Sequence, residues 1–302
     1  MKKKKISRIL GVVLSLALLS SMAILPAPVS AGTQVWSATA TPSATGLVMD
    51  PGNTWAGPFA RTITGSAIYA GTDVTGTAPA VGDTLVRSTD GGRTWVAMTG
   101  LPILTGAGRI TDIVTSSIDA NTVYVTDGNN IWKTTTGDAT QPTWSSITNL
   151  FASVATATGT IVSIDVGYLG ASPYIFAATT RKGAAAGNGG AYVNEEAVFG
   201  TPWSDLLINS DRPVTWGVAA GTVDVLDIQV DPASFATTQM VMALATNYSA
   251  LNGGPATVIT TKYGGAQWDA TVNDESLPGV VGSVIQYGSM WLPDDFSSSR
   301  AT

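Results

Sequence analysis

The sequence predicts an all-β fold: a β-propeller of four-stranded antiparallel blades, with four blades complete and a fifth begun. Three observations predict it. Short runs rich in Val, Ile, Thr and Tyr alternate with Gly, Pro, Asn and Asp, and no amphipathic stretch of helical period occurs after residue 31. Closely spaced strands with no helices between them imply antiparallel sheets, which leaves a sandwich or a propeller open. The strands then recur in units of four, each closing on a Trp, and repetition of that kind decides for propeller blades.

Composition removes whole classes of chemistry. Of 302 residues only 12% are charged, about half of the roughly 25% usual for soluble domains, while 44% are hydrophobic. The absence of Cys excludes disulfides, iron–sulfur clusters, thiolate zinc sites and cysteine nucleophiles. The absence of His excludes the Ser-His-Asp triad and imidazole-ligated metals. No cofactor and no metal site are expected, and the acidic balance argues against a nucleic-acid partner.

Residues 1–31 read as a signal peptide. Lys2, Lys3, Lys4, Lys5 and Arg8 form a basic n-region, an apolar run covers 9–24, and Pro26 and Pro28 precede the small-x-small pattern Val29-Ser30-Ala31. The run is short for a membrane span, and no second stretch of spanning length follows. Cleavage would leave ten Lys+Arg against twenty-one Asp+Glu, a net charge of −11 instead of −6. Eighteen of those acids are Asp, a turn and cap former. An exported chain without disulfides suits a bacterial or archaeal envelope.

Residues 32–302 then form the propeller. The first unit holds runs at 67–72 and 84–88 and ends in Trp95; the second holds 110–115, 122–127 and 131–135 and ends in Trp144. The third holds 161–166, 174–179 and 190–193 and ends in Trp203; the fourth holds 225–230, 239–246 and 258–261 and ends in Trp268. Trp36, in Gln34-Val35-Trp36 with Pro42 after it, resembles the Trp95 region and is expected to be an outer strand that completes the last blade. Residues 291–299 align with 230–238, so the chain is expected to stop inside a fifth blade.

The sharpest local motif is Ser88-x-Asp90-x-Gly92-x-Thr94-Trp95. Asp and Ser can accept backbone N–H bonds across a hairpin, Gly supplies a positive φ, and Trp packs between blades. Later copies decay: Tyr263 stands where Asp belongs before Trp268, the segment from Thr134 to Trp144 carries extra residues, and that from Glu195 to Trp203 keeps little but the Trp. The motif resembles the Asp-box, and the chain thereby resembles the BNR/Asp-box propellers: sialidases, sortilin-type propellers, xyloglucanase-type glycosidases and photosystem-assembly-factor-like propellers. In those families the box is a fold element, so the resemblance implies a structural role for Ser88, Asp90, Gly92, Thr94 and Trp95.

The resemblance also implies what an active site would need. A sialidase-type site needs an arginine cluster and a Tyr–Glu pair. Here Arg109-Ile110-Thr111 reads as the start of a strand, and Glu195 and Glu196 are adjacent, on opposite faces of a strand or in a loop. The segment from Ile68 to Val74 resembles the first-blade segment of the xyloglucanase type, which makes Asp73 the candidate catalytic residue. It departs from the family at Gly71, in place of Arg, and at Thr75, which interrupts a Gly pair. Its partner carboxylate would come from a second propeller.

Other features read more plainly. Trp55, Trp132, Trp216 and Trp291 lie outside the repeated slot, as inter-blade core or as sugar-stacking platforms. The Gly-rich stretch 183–190 lacks the features of a phosphate loop and reads as an insertion. Asp127-Gly128-Asn129-Asn130 and Asp294-Asp295 lack EF-hand spacing and read as tight turns. Asn247-Tyr248-Ser249 is a lone glycosylation sequon. The expectation is an exported, surface-associated propeller acting as a binding or structural envelope module, with a glycan or envelope protein as partner. The alternatives are a xyloglucanase- or sialidase-like glycoside hydrolase and an assembly factor holding a protein partner.

Overall fold

The computed structural model describes residues 55–73, 84–102, 110–180, 189–196, 198–208, 223–232, 235–247 and 257–262, together with 268, 275–276, 289–290 and 292. The chain divides into two compact units, Met1–Ser43 and Ala44–Thr302, and every described residue belongs to the second. The signal-peptide reading, Trp36, Arg109, Trp216, Trp291 and Asp294-Asp295 therefore lie outside the described residues.

The chain is a β-propeller of four-stranded antiparallel blades, each in simple sequential order. Blade 1 is β1 (Trp55–Arg61), β2 (Ile68–Asp73), β3 (Thr84–Ser88) and β4 (Val96–Ala97). Blade 2 is β5 (Asp112–Thr115), β6 (Val123–Thr126), β7 (Ile131–Thr134) and β8 (Trp144–Ser146). Blade 3 is β9 (Thr160–Leu169), β10 (Ser172–Thr180), β11 (Gly190–Glu195) and β12 (Trp203–Asp205). Blade 4 is β13 (Val223–Val230), β14 (Val241–Asn247), β15 (Thr257–Lys262) and β16 (Glu275–Ser276). Single-turn helices α1 (Leu150–Ser153) and α2 (Phe235–Thr238) are too short to carry a helical period in the sequence. The first strands β1, β5, β9 and β13 stand side by side in chain order, so the blades radiate from the edge that these strands form.

Strand periodicity explains why the sequence shows apolar runs instead of clean alternation. Successive side chains of a strand point to opposite faces, and among the described residues both faces of blades 2 and 3 meet a neighbouring blade. Val123 and Val125 of β6 join Tyr69, Leu85 and Ile113 between blades 1 and 2. Tyr124, the residue between them, joins Ile164, Ile175 and Trp203 between blades 2 and 3. In β10, Ile175 and Ala177 face blade 2, whereas Phe176 and Ala178 join Val225, Ile228 and Trp268 between blades 3 and 4. The core is thus three inter-blade layers, and all four residues of β6 are buried.

Hydrogen bonds outside the ladders repeat from blade to blade. The residue after the outer strand donates its N–H to the third strand: Met98 to Leu85 at 2.8 Å, Ile147 to Ile131 at 2.9 Å and Leu206 to Ala191 at 2.9 Å. Blade 1 contains a strand that the repeats do not display. β1 carries Gly57 and Pro58, and its register with β2 slips between Ala56 and Phe59. Proline removes a ladder donor and is confined to edges and bulges, so the segment does not read as a strand.

Candidate functional site

The Asp-box segment forms the turn between β3 and β4. Asp90 Oδ1 accepts from the backbone N–H of Thr94 at 2.9 Å and of Arg93 at 3.0 Å, and Oδ2 accepts from Thr94 Oγ1 at 2.7 Å. Ser88 Oγ donates to Asp90 Oδ1 at 2.8 Å and accepts from Gly92 N at 2.8 Å. Gly91 and Gly92 both take positive φ, 74° and 88°, a region that suits glycine. Trp95 turns back to donate Nε1–H to Gly92 O at 3.0 Å, and its ring meets Phe59 edge-on with centroids 6.4 Å apart. The polar side-chain groups of Ser88, Asp90, Thr94 and Trp95 are thereby bonded within their own loop. The bonds from Thr94 and Ser88 hold the Asp90 carboxyl down at about 2.

The repeat tryptophans Trp144, Trp203 and Trp268 pack against the preceding blade. Trp203 and Trp268 are buried, and their indole N–H groups donate to Thr148 O at 2.6 Å and Leu206 O at 2.8 Å. Both acceptors follow the outer strand of the blade before. Trp144 is half-buried beside blade 1, and its Nε1 has no acceptor. Trp132 is core, 5% exposed. Asp73 ends β2 and pairs with Trp55 at the start of β1. Glu195 ends β11, and Glu196 follows in a turn at φ 78°. Asp127 closes a tight turn, with Oδ1 accepting from Asn129 N and Asn130 N at 2.9 and 2.7 Å. Among the described residues no cluster of acidic side chains could hold a metal ion.

A second set of carboxylates has its own geometry. Asp112, Asp165 and Asp227 lie on the first strands of blades 2, 3 and 4; Asp112 and Asp165 each grip their own strand and the first strand of the next blade, and Asp227 grips its own strand, Ser163 of blade 3 and Met290. Asp112 accepts from Ile113 N and from Ile164 N, both at 2.8 Å. Asp165 accepts from Val166 N at 2.8 Å and from Val230 N at 2.7 Å. Asp227 accepts from Ile228 N at 2.8 Å, from Ser163 Oγ at 2.6 Å and from the N–H of Met290. Burial pushes Asp112 and Asp165 up to about 7, against the pull of the N–H bonds, and the Asp227 charge adds to the rise in both. Burial raises Asp227 as well.

Blade 1 lacks this clasp. The first hydrogen-bonded residue of the β1–β2 hairpin is Thr62, and that of the β5–β6 hairpin is Ser116. Counting back four residues from each places Pro58 where blade 2 has Asp112. The junction is held instead by Thr115 Oγ1, which donates to Arg61 O at 2.7 Å. The sequence shows the three acids only as Asp inside β-branched runs, where Asp is unfavourable. That anomaly was the available signal.

Antiparallel order sends the first-to-second and third-to-fourth connections of every blade to one end, and the second-to-third connections to the other. At the first end lies a pocket of about 470 Å³, shared by the hairpins of blades 2, 3 and 4. Ser117 and Ile118 come from the β5–β6 hairpin, Tyr168 from the end of β9, and Gln229, Asp231 and Phe235 from the end of β13 and α2. Asp165, Val166 and Val230 line it too, so the clasp between blades 3 and 4 is part of its wall. Asp73 sits at the opposite end of its blade. The lining carries carboxylates and no basic side chain among the described residues.

No helix among the described residues is long and apolar enough to cross a membrane. No protein-family model matches the chain, and a comparison with curated proteins returns no match. Solved structures do resemble it. An ancestral enzyme of glycoside hydrolase family 74 superposes with a TM-score of 0.49 at 16% identity over 75% of this chain and 29% of the other. A family-74 xyloglucanase from Xanthomonas campestris gives 0.40 at 14% identity over 71% and 38%, so the chain spans well under half of either enzyme. The catalytic domain of a family-62 α-L-arabinofuranosidase from Coprinopsis cinerea gives 0.41 at 13% identity over 76% and 72%.

Proposed function

We propose that the chain is an exported, surface-associated propeller that acts as a binding or structural module of the cell envelope. The observation that carries this reading is the engagement of the inner carboxylates. Glycoside hydrolysis by the common route requires two carboxyl groups flanking the glycosidic bond, one to protonate it and one to attack or to activate water. Asp112, Asp165 and Asp227 each take N–H bonds from two segments, which makes them fasteners between blades. Asp90 is likewise tied into its own turn, a structural part that fits the Asp-box resemblance. The basic, apolar and small-residue order of 1–31 supports export, and the acidic, Cys-free remainder suits an envelope surface with a glycan or envelope protein as partner.

The second reading is a glycoside hydrolase of xyloglucanase- or sialidase-like type. It rests on Asp73, at the blade end opposite the Asp-box turn. Incubating the full chain with a glycan array and with purified cell walls, alongside hydrolysis assays on the same glycans, tests both. Retention without turnover is expected. Turnover that Asp73→Asn abolishes would replace the binding reading with the hydrolase, and neither retention nor turnover would remove both.

A further inference from the structure

We propose that the groove of about 400 Å³ between the third-to-fourth connections of blades 2 and 3 is a surface site for an uncharged polysaccharide, with the ring of Phe199 as the platform on which a pyranose unit stacks. The inference deepens the binding reading and rests on it. Phe199 is 75% exposed and Val198 beside it 39%, both in the turn between β11 and β12. Single exposed apolar residues are common on surfaces; these two differ in being adjacent, anchored and set over a groove. Gly200 N donates to Thr148 Oγ1 at 2.6 Å, and Trp203 donates its backbone N–H to Ser153 Oγ at 3.1 Å and its indole N–H to Thr148 O at 2.6 Å. These bonds tie the turn to residues that follow β8, so the backbone under the platform is set before a ligand arrives. In blade 1 the same connection is the Asp-box turn, whose polar side chains are bonded within their own loop. In blade 3 the motif has gone and apolar side chains stand in its place.

The facing wall sets the ligand class. Thr135, Thr143, Ser145 and Ser146, all exposed, line the groove from β8 and the connection that leads into it. Ser145 Oγ donates to Lys133 O at 3.3 Å and keeps its capacity to accept. The hydroxyls of Thr135, Thr143 and Ser146 bond to no described residue, so they are open to a ligand. Lys133 lines the groove too, but its ammonium lies over the Tyr124 ring, 5.6 Å from the centroid, and answers the charge of Asp119. No unmatched cation is therefore left to select an acid, and no carboxylate lines the groove among the described residues. A pyranose with equatorial hydroxyls has the matching surface: an apolar C–H face to lie on Phe199, and a rim of hydroxyls that donate and accept as those of Ser and Thr do. An apolar peptide side chain would cover Phe199 and Val198 but leave the hydroxyl wall unused. The volume suits about one or two rings, and the exposed lining lets a longer chain continue past them.

Calorimetric titration of the full chain with cellotetraose, xylotetraose and chitotetraose tests the site, with the tetraglucuronate of the same linkage as the acidic control. At least one of the three uncharged sugars should bind with a dissociation constant on the order of 1 mM or below, and the tetraglucuronate should bind no more tightly than cellotetraose. Phe199→Ala should weaken binding about fivefold or more at an unchanged melting temperature, because the ring is exposed; Phe199→Tyr keeps the platform and should bind within about twofold of the wild type. Thr143→Val removes a hydroxyl at nearly constant shape and should weaken binding less than Phe199→Ala. No binding by any of the three, binding untouched in Phe199→Ala, or tighter binding of the tetraglucuronate would overturn the proposal. So would self-association of the chain that Phe199→Ala abolishes, which would assign the platform to a second copy. Array and cell-wall retention that persists in Phe199→Ala would overturn the groove and leave the broader binding reading intact, whereas silence in array, wall and titration would remove both.

Discussion

At the scale of single residues, Asp90 shows how a side chain exposed to solvent can still organise structure. Its two oxygens take three hydrogen bonds from Arg93 and Thr94 and one from Ser88, on a loop whose two glycines adopt positive φ. The carboxyl is held at about 2, below its unfolded value near 3.8, because these donors favour the charged form. A depressed carboxyl stabilises the folded state above the unfolded value, and that contribution disappears as pH falls through the folded one. Asp90→Ala should therefore lower the melting temperature at pH 5 and reduce its decline between pH 4 and pH 2. Thermal melts across that range check this, and an unchanged acid limb in the variant would refute it. Asp119, held down by Thr122 and Asn121, contributes in the same direction and remains in the variant.

At the scale of elements, one solution is repeated with local defects, and the defects are informative. Trp203 and Trp268 each tie their blade to the preceding one through an indole N–H, whereas Trp144 makes the same approach without an acceptor. Trp203→Phe should cost about 1–2 kcal/mol beyond the loss of apolar surface, because it leaves Thr148 O without its donor. Trp144→Phe should cost less, since it removes a buried N–H that has no partner. Chemical denaturation of both variants decides; equal losses would mean that the indole bond contributes nothing. Blades 2, 3 and 4 were legible in the sequence because their strands are buried on both faces, which concentrates β-branched residues into runs such as 123–126 and 225–230. β1 was not legible, because Gly57 and Pro58 break the pattern at a bulge that only pairing with β2 reveals. The Asp-box turn was legible because its bonds are local, whereas Asp112, Asp165 and Asp227 bond across 52, 65 and 63 residues. The pocket was invisible for the same reason, being assembled from three hairpins of separate blades.

At the scale of the whole molecule, the inner carboxylates set how the propeller responds to pH. Asp112 and Asp165 lie at about 7 in the folded chain, raised chiefly by burial, and Asp227 is raised too. A carboxyl raised on folding binds its proton more tightly in the folded state. Its contribution is therefore fully present below the unfolded value near 4 and is lost as pH rises to about 7. Asp90 and Asp119 act oppositely, losing their contribution as pH falls below about 4. The two limbs place maximum stability near pH 4–5, with a fall towards pH 8 on one side and towards pH 2 on the other. The strongly acidic surface also favours lower pH through reduced self-repulsion, so the wild-type profile alone does not isolate the buried groups. Asp165→Asn does. It removes the titrating group, and its amide can accept from only one of Val166 N and Val230 N, so the variant should be less stable at pH 5 and lose a smaller part of its stability between pH 5 and pH 8. Surface repulsion is nearly unchanged by one substitution in twenty-one acids. A slope in Asp165→Asn identical to that of the wild type would assign the whole alkaline limb to the surface and remove the inner carboxylates from it.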